Sequence, residues 1–222
     1  MRTIRPMRNR IVSAALLGLL LAACGDDAPA AVGTGVVDTF DGATAVETAY
    51  PGDATLDLTE FGVGHLIAVS LAPLTIYLAE YPTRFTLFDG EITLRFRQGA
   101  VAPTAVTVTF WKSTDFSRYA QASVSLVYGN AYIGWYDEKA DYQEVEFQLP
   151  ADLYDPAGLN TLVVRLHQGT AVMELNDVVL GEAAVTLADH DGELAWGMLP
   201  SGPGSELIVD EFSAVPAPAA AG

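Results

Sequence analysis

The chain predicts an all-β fold in which two antiparallel sheets pack face to face as a sandwich of the jelly-roll kind. Three observations lead there. Apolar and polar residues alternate with period two over many separate segments of the body. Clusters of Gly, Asn, Asp and Pro punctuate those segments, as turns do. Nothing after residue 24 carries a convincing apolar stripe at helical spacing. Strands that are apolar on one side only must bury that side, and a second sheet is the economical cover.

The elements follow in chain order. The opening "MRTIRPMRNR" holds four arginines and no acid, and "IVSAALLGLLLAA" after it is apolar. This is the layout of an export signal over residues 1–23. A helix of those apolar residues would reach about 20 Å, short of the ~30 Å hydrocarbon layer it would have to span. The sole cysteine, Cys24, comes next. Exported proteins usually pair their cysteines, so a single one needs a reason.

Leu21, Ala22, Ala23 and Cys24 resemble the lipobox of bacterial lipoproteins. The resemblance implies diacylglycerol on the Cys24 thiol, cleavage just before it, and a membrane partner held through the lipid. Two or three acyl chains, at about 0.8 kcal/mol per buried methylene, make a stable anchor. Gly25 follows where an Asp would signal inner-membrane retention. The expected address is the bacterial cell envelope, outer membrane or periplasm-facing in a Gram-negative cell.

Losing the signal removes four of the 11 basic residues and none of the 28 acidic ones, which leaves 7 against 28, a charge of −21. Such a chain repels nucleic acid and anionic head groups, so neither is expected as a partner. Residues 24–35, "CGDDAPAAVGTG", read as lipid anchor and flexible tether. The sandwich is expected over 36–215 and a disordered tail over 216–222.

Within the body, "EITLRFR" sets Ile92, Leu94 and Phe96 against Thr93, Arg95 and Arg97. "AVTVTFW" sets Val106, Val108 and Phe110 inward, with Thr107, Thr109 and Trp111 outward. "YAQASVSLVY" sets Ala120, Ala122, Val124 and Leu126 against Tyr119, Gln121, Ser123 and Ser125. "EVEFQL" and "TLVVRLH" keep the same period. "AVSLAPLTIYLAEY", broken by Pro73, reads as strand or irregular rather than helix.

Three features then resemble one superfamily: the early "VVDTFDG", the hairpin "VMELNDVVL" with Asn176 and Asp177 at its turn, and the closing "IVDEFSAV". Together with the strand order, they resemble the concanavalin A-like lectin/glucanase superfamily over about residues 36–215, including laminin-G-like and 3-keto-disaccharide hydrolase-type domains. Asp177 stands where the turn of that group has Gly. The resemblance implies a jelly roll and a carbohydrate ligand. It also implies, for several relatives, a structural calcium ion held by acids near the first and last strands, here Asp38 or Asp41 with Asp210.

Chemistry is harder to find. Laminarinase-type members carry Glu-x-Asp-x-x-Glu on a strand, and no such spacing occurs here; Glu144 and Glu146 in "EVEF" lack a third acid. His65, His167 and His190 are scattered, and no zinc, nucleotide-loop or serine-elbow pattern is present. The acidic loop "DHDGE", with Asp189, Asp191 and Glu193, is short of a dedicated calcium loop. The polar strand faces remain. Alternation turns Trp111, Arg95, Arg97, Tyr119, Gln121, Arg165 and His167 outward, a set suited to stacking a sugar ring and bonding its hydroxyls. The expectation is an envelope-anchored, non-catalytic carbohydrate-binding lipoprotein. The alternatives are a glycoside-active hydrolase of the glucanase or 3-keto-disaccharide type, and a structural or adhesion lipoprotein with a protein partner.

Overall fold

The structure, a computed structural model, describes residues 35–40, 47–48, 54–57, 66–70 and 77–217. Cys24 and its flanks, Asp41, His65 and the last five residues lie outside the described residues. Fifteen strands are described and no helix. In chain order they are β1 (Val36–Asp38), β2 (Glu47–Thr48), β3 (Ala54–Asp57), β4 (Leu66–Ser70), β5 (Tyr77–Thr86), β6 (Asp89–Gln98), β7 (Ala105–Lys112) and β8 (Arg118–Ser125). They continue with β9 (Asn130–Asp137), β10 (Ala140–Gln148), β11 (Asn160–His167), β12 (Thr170–Leu175), β13 (Val178–Ala184), β14 (Asp191–Leu199) and β15 (Glu206–Pro216). The segment expected to be strand or irregular contributes the end of β4 and the start of β5.

Every described pairing is antiparallel, in two sheets. The first runs β13-β12-β11-β6-β15-β4-β3, with β1 also on β15; the second runs β10-β9-β8-β7-β14-β5-β2. One side of β15 serves two partners in turn. Glu206 to Val209 pair with β4, and Phe212 to Ala214 with β1. The change falls where the register shifts at Asp210. A bulge there lets one strand bend between two neighbours.

The inward residues of both sheets form one core. Ile92, Leu94, Phe96, Val106, Val108, Phe110, Ala120, Ala122 and Val124 are all fully buried, as their alternation predicts. Across the gap, Tyr81 of the second sheet stacks on Phe212 of the first, with ring centroids 4.9 Å apart. Burial, and then the charge of Asp38, pushes the Tyr81 hydroxyl far above the ordinary tyrosine range. The β12–β13 connection is a two-residue hairpin in which Asn176 and Asp177 have φ of 48° and 65°. That is the geometry of a type I′ turn. The Asn176 side chain ties it down: its Oδ1 accepts from the Thr161 amide at 2.8 Å, and its Nδ2 donates to Leu153 O at 2.8 Å and to Asn160 Oδ1 at 2.9 Å.

One expectation about strand faces is corrected. Trp111 was expected outward; it is buried, 1% exposed, within the core. Between the β14 partners Ala195 and Glu193, β7 advances from Thr109 to Lys112, one residue more than β14. This bulge, with Trp111 at φ 52°, turns Phe110 and Trp111 inward together. The indole Nε1–H then donates to Leu87 O at 3.0 Å, so its one polar group is satisfied in the core. Simple alternation has no means of registering an extra residue.

Candidate functional site

The residues expected to form one outward site divide between opposite sides of the sandwich. Arg95 and Arg97 lie on β6, and Arg165 and His167 on β11, all in the first sheet; Tyr119 and Gln121 lie on β8 in the second. With Trp111 in the core, no single face unites them.

The outer face of the first sheet is laced by ion pairs between neighbouring strands. Arg95 meets Glu211 directly across the strand pair at 3.2 Å. Arg165 meets Glu91 at 3.0 Å and also Glu174 on β12. The hydrogen bond that Arg165 donates to Glu174, with the nearby carboxylate charges, pushes the Arg165 guanidinium still higher than usual. His167 Nδ1 sits 2.7 Å from Asp89 Oδ1. Arg97 is exposed. A hollow of about 600 Å³ opens at the end of this sheet beside Asp89, Glu91, Arg165, His167, Val215 and Pro216. Most of its charged groups already satisfy one another.

The outer face of the second sheet is different. Its centre is small and uncharged: Thr107 and Thr109 from β7, Ser123 from β8, Ala195 from β14. Aromatic residues flank this floor. Tyr119 on β8 lies directly opposite Tyr136 on β9, their rings 5.7 Å apart. Gln121 lies opposite Gly134, and Ser123 opposite Tyr132. Tyr142 reaches in from β10, where the register shifts, and lies across Gly134; a Cβ there would fall 2.1 Å from the Tyr142 hydroxyl oxygen. Gln121 Nε2 donates to that hydroxyl at 3.3 Å. Burial pushes the Tyr142 hydroxyl well above its ordinary value, although part of the ring is exposed. Tyr132 and Tyr136 are four residues apart on one strand, about 13 Å at ~3.3 Å per residue. Between Tyr132 and Gln121 lies a recess of about 30 Å³, also lined by Ala105, Thr107, Ser123 and Leu199. That is room for about one water molecule, and the floor itself is packed away: Thr107, Thr109, Ser123 and Ala195 are at most 5% exposed, which leaves the tyrosines as the accessible part of this face among the described residues.

Tyr132, Tyr136 and Tyr142 were missed as site residues from sequence, although "NAYIGWYD" holds the signal. Its alternation sets Ala131, Ile133 and Trp135 inward, which leaves Tyr132, Gly134 and Tyr136 on the other side.

At one end of this face lies a buried charge cluster. Lys112, turned outward by the β7 bulge, is 1% exposed. Its Nζ is 2.6 Å from Glu193 Oε2 and 3.0 Å from Glu80 Oε1, and stands 4.1 Å over the centre of the Phe116 ring. Glu193 Oε1 accepts from the Thr114 hydroxyl at 2.7 Å. Two carboxylates on one ammonium lie within about 6 Å of each other, near the ~5–5.5 Å spacing of retaining glycosidases. Here the ammonium fills the space between them. The loop "DHDGE" is likewise tied inward, Arg118 Nη2 lying 3.1 Å from Asp191 O and 3.4 Å from its carboxylate. Glu144 and Glu146 are exposed on β10.

Of the candidate calcium ligands, Asp38 and Asp210 are described and Asp41 is not. Asp38 Oδ1 accepts from the Phe40 amide at 3.0 Å and Oδ2 from the Tyr81 hydroxyl at 3.3 Å, so both oxygens serve the fold. Among the described residues no three His, Cys, Asp or Glu side chains converge.

Fold and face together define a two-sheet β-sandwich of the concanavalin A-like kind. Solved structures bear this out at the level of fold. The carbohydrate binding module CBM66 from Bacillus subtilis is similar with a TM-score of 0.56 and 12% identity, over 75% of this chain and 92% of that one. A β-1,3-1,4-glucanase (lichenase) derived from a mouse hindgut metagenome is similar at 0.60 and 12%, over 83% and 100%. A protein of unknown function with a galectin-like fold, also from Bacillus subtilis, reaches 0.61 at 10%, over 82% and 96%. No protein-family model matches the sequence. No curated protein matches it either.

Proposed function

We propose that this protein is an envelope-anchored, non-catalytic glycan-binding lipoprotein, tethered through Cys24, with its binding surface on the outer face of the second sheet. The observation that carries the reading is the group of Tyr119, Tyr132, Tyr136 and Tyr142 around an uncharged floor with the Gln121 amide among them. Aromatic rings accept the C–H faces of sugars while amides, hydroxyls and carboxylates bond the sugar hydroxyls. Similarity to a carbohydrate binding module and to glucanases supports a carbohydrate ligand.

A glycan array probed with the mature chain, with and without calcium, tests it. Binding that Tyr132→Ala and Tyr136→Ala each weaken about ten-fold or more, without loss of folding, supports the site. Binding to no glycan overturns it. For the anchor, Cys24→Ser is expected to abolish incorporation of labelled fatty acid when the full chain is expressed in a bacterium.

The second reading is a glycoside hydrolase acting through Glu80 and Glu193, favoured by their spacing. Lys112 argues against it, because the ammonium sits where a scissile bond would have to lie. Reducing sugar released from a bound glycan, and lost in Glu193→Gln, would establish that reading in place of the first.

A further inference from the structure

Among the described side chains, the tyrosine face of the second sheet is bordered by carboxylates and poor in accessible cations. Glu144 stands opposite Gly134 and Glu146 opposite Tyr132, both exposed on the edge strand β10. Glu80 borders the floor beside Ala195, its side chain 19% exposed. Among the described side chains, the cations of this sheet are withdrawn or outnumbered. Lys112 has none of its side chain exposed and is held by two glutamates. Arg118 has 12% exposed and turns to Asp189 and Asp191. Lys139, in the β9–β10 turn, has Asp137, Glu138 and Asp141 within two residues.

We infer that this face selects glycans that carry no carboxylate or sulfate groups, with Glu144 and Glu146 as the residues that turn acidic glycans away. The inference rests on the reading that this face binds glycan at all. Its physical basis is discrimination by repulsion. A sugar acid laid over Tyr132 beside Tyr142 would give up water and meet like charge from β10, with no free cation among the described side chains of this sheet to replace the lost solvation. A neutral sugar meets the same carboxylates as hydrogen-bond acceptors for its hydroxyls. On the first sheet Arg95 and Arg165 are engaged by Glu211, Glu91 and Glu174, and the exposed Arg97 lies on the opposite side of the sandwich from the tyrosines.

The test uses the mature chain and one neutral polysaccharide chosen from the array, with three derivatives of it: carboxymethylated, sulfated, and hydroxyethylated as a neutral control for bulk. Binding is measured by titration calorimetry at low and high salt. Expected are equal affinities for the neutral and hydroxyethylated forms, and affinities about ten-fold or more lower for the two acidic forms at low salt. The gap should narrow at high salt, where surface charges are screened. It should also narrow in the Glu144→Gln, Glu146→Gln double variant, checked for native circular dichroism; Glu146 accepts from Asn130 Nδ2 at 2.6 Å, a bond that a Gln amide oxygen can also accept. Acidic forms that bind as well as the hydroxyethylated form overturn the inference while leaving the glycan reading in place. A gap that persists in the double variant overturns the role of the two glutamates. Failure of every form to bind overturns the glycan reading and this selectivity with it.

Discussion

At the scale of single residues, Trp111 and Lys112 show how one extra residue changes the chemistry of its neighbours. Trp111 is a core side chain whose indole N–H is satisfied by Leu87 O. Trp111→Ala should therefore cost about 3–5 kcal/mol of stability, as large-to-small core changes do, and act on binding only through folding. Urea denaturation against glycan affinity of the folded fraction separates the two effects. Lys112 is the reverse case, a charge buried on the outer side with Glu80 and Glu193. Lys112→Met strands two carboxylates and should cost about 3–5 kcal/mol in the same experiment. Adding Glu80→Gln and Glu193→Gln should recover most of that loss, because the penalty comes from unpaired charge rather than from the missing pair.

At the scale of elements, β7, β14 and β10 shape the face through local irregularities. Gly192 in β14 lies against the β7 bulge, where a Cβ would meet Lys112 O at 2.5 Å and Lys112 N at 2.6 Å. Backbone cannot yield as a flexible side chain can. Gly192→Ala should lower stability by at least about 2 kcal/mol and push the bulge aside. The check is a fall in the urea midpoint, and a change in near-ultraviolet signal that is absent when the substitution is made in a Trp111→Phe background. On the other edge, the register shift in β10 and the bare backbone of Gly134 let Tyr142 lie across the sheet and reach Gln121. Both irregularities sit beside the tyrosines, where bulges re-aim side chains toward a surface.

At the scale of the whole molecule, tyrosines couple the core to pH. The Tyr154 hydroxyl is pushed up to about 12, first by burial and then by Asp155, and burial drives Tyr81 and Tyr142 in the same direction. A raised pKa means that the neutral form is favoured on folding. Its contribution is complete below the ordinary tyrosine value of ~10 and is lost as pH rises from there through about 12. Stability should fall over that window, and tyrosinate absorbance from these residues should rise together with unfolding rather than before it. Among the strands, the sequence was enough for the fold class, the facing of β6, β8 and most of β7, and the tight Asn176–Asp177 hairpin, because period two and turn chemistry are local properties. The lipobox reading of Cys24 belongs to sequence alone, since that stretch lies outside the described residues. Tertiary structure decided the rest. Only sheet topology separated the Arg95, Arg97, Arg165 and His167 face from the Tyr119 and Gln121 face, and only the bulge in β7 buried Trp111. Alternation tells which residues share a side of one strand. Which strands share a sheet, and where a register slips by one residue, depends on pairings between segments far apart in the chain.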